Sequence, residues 1–99
     1  MPESIILYWR DIPSQVIVKR GRMSEKRELS KRFIEAIDMA AMRSGAKDAD
    51  AYLAEWRRGP PAPCGDDLVI EADRLAAQIE ADFTPEKLKA LIANGGRAA

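Results

Sequence analysis

The sequence predicts a small α+β domain, an antiparallel or mixed three-stranded sheet with helices on one face, in the order β-β-α-β-α-α. Three observations predict it. Apolar, β-branched and aromatic residues crowd two short stretches, Ile5 to Arg10 and Val16 to Val18, as strands require. Ala, Glu, Lys and Arg at helical apolar spacing dominate the later half, as amphipathic helices require. Proline and glycine gather between these stretches, where the chain must turn.

In the first strand, Ile5, Leu7 and Trp9 share one face, and Ile6, Tyr8 and Arg10 the other, because successive side chains alternate. Asp11-Ile12-Pro13-Ser14 carries turn chemistry, since Asp bonds its own backbone and Pro fixes φ. Gln15 to Lys19 then returns as the second strand of a hairpin. Residues 19–32 read as a basic loop running into a helix: Lys19, Arg20, Arg22, Lys26, Arg27, Lys31 and Arg32 stand against Glu25 and Glu28. Ser30 suits the N-cap of that helix, with Ser24 an earlier alternative. Leu29, Phe33, Ile37 and Ala40 make its apolar stripe, and Gly45 its stop.

Residues 48–58 fit two patterns. Alternation sets Tyr52, Ala54 and Trp56 on one strand face. A helix capped by Asp48 instead aligns Ala49, Tyr52, Leu53 and Trp56. The expectation is a third strand, which a marginal hairpin needs. Gly59 to Gly65 is a stiff, proline-rich connector. Asp66 or Asp67 caps a helix with Leu68, Ala72, Leu75, Ile79 and Phe83 along one side. Thr84-Pro85-Glu86 starts another, with Thr as N-cap, Pro at the first turn and an acid behind it. Leu88, Leu91 and Ile92 are its apolar side, and the tail from about residue 95 to 99 is expected to fray.

Residues 1–99 form one domain, of a length that buries a core without metal or disulfide. Net charge is zero, but residues 1–58 carry +3 and residues 59–99 carry −3, unlike a uniformly basic nucleic-acid binder. The chain has one cysteine, Cys64, so no internal disulfide forms, which fits a reducing compartment. No apolar run is long enough to span a membrane and no signal peptide is expected, so the reading is a cytoplasmic protein. There is no histidine. That removes Ser-His and Cys-His dyads, histidine metal sites and an imidazole switch near neutrality. Asp48, Asp50, Asp66 and Asp67 fall where turns and caps use Asp, and no metal or cofactor is assigned. Cys64 lacks a partner base or thiol, so no catalytic residue is assigned and the chain is not expected to be an enzyme.

The stretches Ile6 to Pro13, Gln15 to Val18, Phe33 to Ala40 and Ala51 to Arg57 resemble the small bacterial "virulence factor" domain family across about residues 4–93. The resemblance implies no known catalytic residues. It implies an accessory role beside methyltetrahydrofolate and corrinoid methyltransfer enzymes of one-carbon metabolism.

With Trp9 and Trp56 in the core, Tyr8, Arg10 and Arg57 would share an open sheet face. Those three, with Arg20, Arg22, Lys26 and Arg27 of the basic segment, are the expected partner-binding residues. The leading expectation is docking to a protein, such as a methyltransfer enzyme, by a monomer or weak dimer. The alternative is a nucleic acid or phosphate ligand held by residues 19–32, with affinity falling steeply in salt.

Overall fold

The computed structural model describes residues 2–45 and 48–98. Three strands come first: β1 (Glu3–Trp9), β2 (Ile12–Arg20) and β3 (Met23–Glu28). They are followed by α1 (Lys31–Ser44), α2 (Ala49–Ala54), β4 (Trp56–Arg58), β5 (Ala62–Pro63), α3 (Leu68–Asp82) and α4 (Pro85–Ala93). The sheet runs β3-β2-β1-β4, and β5 pairs β1 beyond β4. The α+β class holds, but the sheet has five strands rather than three.

The first turn is tighter than Asp11–Ser14: β2 already begins at Ile12, and Arg10 takes a positive φ of 55°. Pro13 therefore lies inside a strand. A bulge accommodates it, since Leu7 pairs Gln15 but Tyr8 pairs Pro13. The extra residue, Ser14, turns its carbonyl to the amide of Leu29. A bulge is one of the few places where a sheet tolerates proline's missing N–H.

The largest correction is β3. The segment Met-Ser-Glu-Lys-Arg-Glu has helix-like composition, yet it pairs β2 in unbroken register from Gln15↔Glu28 to Arg20↔Met23. Gly21, at φ 58°, makes the hairpin turn, a conformation only glycine adopts freely. As an edge strand, β3 gains from its charges, which discourage pairing with another chain.

Register sorts the faces. Val16 and Val18 belong to the helix-side core, with Ile6 against it, whereas the opposed pair Ile5 and Ile17 lies outside that cluster. α3 packs across β2 and β3, while α1 packs on β2 and α4. Trp9, Ile12, Phe33 and Ile37 are fully enclosed. Burying such side chains gives about 1.5–3 kcal/mol each.

The third strand expected across residues 48–58 is confined to its last three residues, because the Asp48 cap starts a helix first. Asp48 caps α2 through the amide of Ala51, and Trp56 to Arg58 then pair β1 as β4. Thr84 and Pro85 start α4 as expected, with the Thr84 hydroxyl accepting from Lys87 N–H. Ser30 holds the N-cap position of α1, but its side chain does not cap the helix. Glu80 of α3 takes over: its carboxylate accepts the Ser30 amide at 2.6 Å, the Ser30 hydroxyl at 2.8 Å and Arg32 at 3.0 Å. Burial works against the charged form of Glu80, yet these three donors hold its carboxyl below the ordinary range.

The tail expected to fray is buried at Gly95 and Gly96 and hydrogen-bonded as far as Ala98. Gly96 accepts from the Asp11 amide, Gly95 from Arg10, and Ala98 donates to the Asp11 carboxylate. Residue 99 lies outside the described residues.

Candidate partner-binding site

The seven sequence-predicted residues do not form one surface. Trp9 is enclosed, donates its indole N–H to the Tyr52 carbonyl at 2.9 Å and stacks on that ring at 5.8 Å. Period-two geometry sends the next residue outward, but the positive φ of Arg10 ends the alternation and folds its side chain back. The Arg10 guanidinium lies 4.9 Å from the Trp9 ring centre, donates to Gly95 and pairs with Glu55 at 3.3 Å. Its side chain is 12% exposed, so Arg10 holds the tail and the first turn together. The expectation that it faces outward is corrected.

Tyr8 and Arg57 do meet. They pair across β1 and β4, with the guanidinium 4.5 Å from the ring centre. Arg57 also reaches Asp11 at 3.1 Å and the Arg10 carbonyl. The Asp11 carboxyl is lowered, chiefly by the Ala98 amide and then by Arg57. Arg57 is exposed and Tyr8 half-buried, and the pair is thus braced by internal partners. Trp56 is half-buried, with its ring edge-on to Tyr52 at 6.0 Å.

The basic segment is split by alternation along β3. Arg27 faces α3, where it binds Asp73 at 2.6 Å and its neighbour Glu25 at 3.0 Å. Lys26 stands opposite Ile17 on the other sheet face and is exposed. Arg20 and Arg22 flank Gly21 at the hairpin tip, both exposed, with Lys19 beside them. None of Lys19, Arg20, Arg22 and Lys26 has a carboxylate in ion-pair reach among the described residues. Arg10, Arg27, Arg32, Arg57, Arg74 and Arg97 all have one. Lys31, Arg43, Arg58, Lys87 and Lys89 also lack an ion pair among the described residues, but at the hairpin tip three such cations, Lys19, Arg20 and Arg22, fall within four positions.

Beside the tip lies a cleft of about 310 Å³, between the turn of the hairpin and the start of α3. Arg20 and Met23 form one wall, and Asp66, Asp67 and Val69 the other. Met23 is 60% exposed and Val69 45%, while Leu68 is buried. Sequence reading missed Met23 and Val69. Glycine at position 21, a residue suited to a reversal of the chain, was the available signal that a strand starting near Met23 could fold back.

Cys64 is half-buried ahead of α3. Burial pushes its thiol up, and Glu71 adds to the effect, which disfavours the reactive thiolate. Glu71 is held down to about 2 by Arg74 and then by the Gly65 amide. No group of three or more potential metal ligands occurs among the described residues, and no helix among them is long and apolar enough to cross a membrane.

Fold and site together define a small α+β domain with a cluster of unpaired cations at one hairpin tip, among the described residues, next to a partly apolar cleft. The chain belongs to the Virulence factor family, whose model matches residues 7–92. No curated protein and no solved structure matches the chain.

Proposed function

We propose that this chain is a non-enzymatic accessory domain that docks to a protein partner through the tip of its β2–β3 hairpin. The observation that carries the reading is the contrast along one hairpin. Arg27 is locked to Asp73 and Glu25, while Arg20 and Arg22 are exposed with no carboxylate partner among the described residues. Unpaired surface cations steer and orient an acidic partner more than they stabilise the fold. The sequence resemblance supports a methyltransfer enzyme of one-carbon metabolism as that partner.

A protein is favoured over a single-stranded nucleic acid on geometry. Binding of unpaired bases uses aromatic platforms beside the cations. Here Trp9 is enclosed, and Tyr8 pairs with Arg57 of β4, at the sheet edge opposite β3.

The test is affinity capture from a native-host extract with the full chain and with the double variant Arg20→Glu and Arg22→Glu. A protein enriched by the wild type and lost by the variant is the expected result. If the wild type enriches nothing, or the variant captures equally well, the proposal fails. A methyltransfer enzyme among the captured proteins supports the narrower reading.

A further inference from the structure

The cleft beside the basic tip has a definite chemical character, and it narrows the partner. We infer that it seats one apolar side chain of an acidic partner segment, with carboxylates on the hairpin side of that anchor. This rests on the reading of the chain as a docking domain and names the chemistry of what docks.

The volume, about 310 Å³, lies at the low end of the range for ligand pockets, roughly 300–1,000 Å³. That suits a side chain better than a cofactor. Its apolar walls come from both elements: Met23 from the hairpin and Val69 from α3, both exposed. Met23 is 60% exposed, as are Met42, Leu53 and Ile70 to similar degrees elsewhere on the chain, and its flexible thioether adapts to varied shapes.

The charges around the cleft are asymmetric. Arg20 lines it on the hairpin side, next to Gly21 and Arg22. On the other side Asp67 is already engaged, accepting the Ile70 amide as the cap of α3. Glu25 is held by Arg27. Asp66 remains free of any ion pair among the described residues and faces the cleft from the helix side. A docked segment therefore meets Arg20 on the hairpin flank, with Arg22 nearby and Glu25 paired to Arg27, and the carboxylates of Asp66 and Asp67 on the other. Acidic residues are favoured toward Arg20 and Arg22 and disfavoured toward Asp66. The same Asp66 opposes a polyanionic strand lying along the cleft.

Defined peptides test this on the full chain: an acidic peptide carrying one leucine, the same peptide with serine for leucine, and a basic peptide carrying the leucine. An oligothymidylate strand is the nucleic-acid probe. Amide chemical shifts locate binding and titration gives affinity. The acidic leucine peptide is expected to shift Met23, Ser24 and Val69, and to bind at least about tenfold more tightly than the serine or basic peptide. Met23→Ser and the double variant Arg20→Glu, Arg22→Glu are each expected to weaken it about tenfold. Circular dichroism confirms that these surface variants fold.

Equal affinity for the leucine and serine peptides, shifts confined to another surface, or tighter binding of oligothymidylate each overturn the assignment. Capture of a host protein by the wild type that Met23→Ser and Val69→Ser leave undiminished also overturns the cleft, while the docking reading stands. Capture of nothing by the wild type removes the docking reading itself.

Discussion

Replacing Glu80 tests how the two halves of the chain are joined. Its carboxylate closes the N-terminus of α1 from 50 positions further along the chain, taking the Ser30 amide and hydroxyl together with Arg32. A hydrogen bond to a charged group contributes about 1.5–3 kcal/mol and a lost helix cap costs about 0.5–2. Glu80 has 31% of its side chain exposed, which moves the expectation to the lower part of those ranges. Glu80→Gln should cost about 1 kcal/mol and Glu80→Ala about 2.

The pH dependence has a definite sign. A carboxyl whose pKa is lowered on folding contributes stability that is complete above the unfolded value and is lost as pH falls through the folded one. The ordinary value here is 4.5 and the folded one lies lower. The gap between wild type and Glu80→Gln should therefore be full at neutrality and shrink below about pH 4.5. Urea unfolding of both proteins at neutral and acid pH measures it. A Glu80→Ala midpoint indistinguishable from wild type would refute the reasoning, and so would a gap that is unchanged in acid.

Three further outcomes are expected. Gly21→Ala and Gly96→Ala should differ in urea unfolding. Both glycines have positive φ, but a Cβ at Gly21 meets nothing within 4 Å, whereas at Gly96 it comes 2.8 Å from the Trp9 ring. Backbone strain alone costs about 1–2 kcal/mol and overpacking adds about 1–3, so equal losses would contradict the packing described. Truncation after Asn94 removes the bonds of Gly95, Gly96 and Ala98 to Arg10 and Asp11. It should lower stability by at least about 2 kcal/mol and admit acrylamide to Trp9; a wild-type midpoint would show that the tail is not structural. Cys64→Ser should leave folding and partner capture unchanged, because the thiol pairs with no other cysteine; lost capture would give the thiol a role.

Local chemistry was readable wherever it decides structure locally. Thr84-Pro85-Glu86 starts a helix because its capping groups are consecutive; Asp48 gave a similar local signal for α2, which the expected third strand overrode. The strand β3 was not readable from its composition. Its residues favour a helix in isolation, and only the turn at Gly21 and pairing with β2 overrule them. The same limit hid the cap of α1, since nothing around Ser30 announces Glu80. At the candidate site, the sequence placed Arg20 and Arg22 among the partner-binding residues. It placed Arg10 there too, because strict alternation was carried one residue past the end of β1, into the turn. Met23 and Val69 escaped notice because their exposure depends on how α3 lies across the hairpin.

The most direct measurement is a charge swap between the chain and a captured, purified partner. Arg20→Glu with Arg22→Glu should weaken binding by at least about tenfold, and the loss should diminish as salt rises. Lysines placed at the partner's facing acidic positions should restore binding to the double variant and not to the wild type. Unchanged affinity of the double variant, at low salt and with a fold verified by circular dichroism, would contradict docking through the hairpin tip.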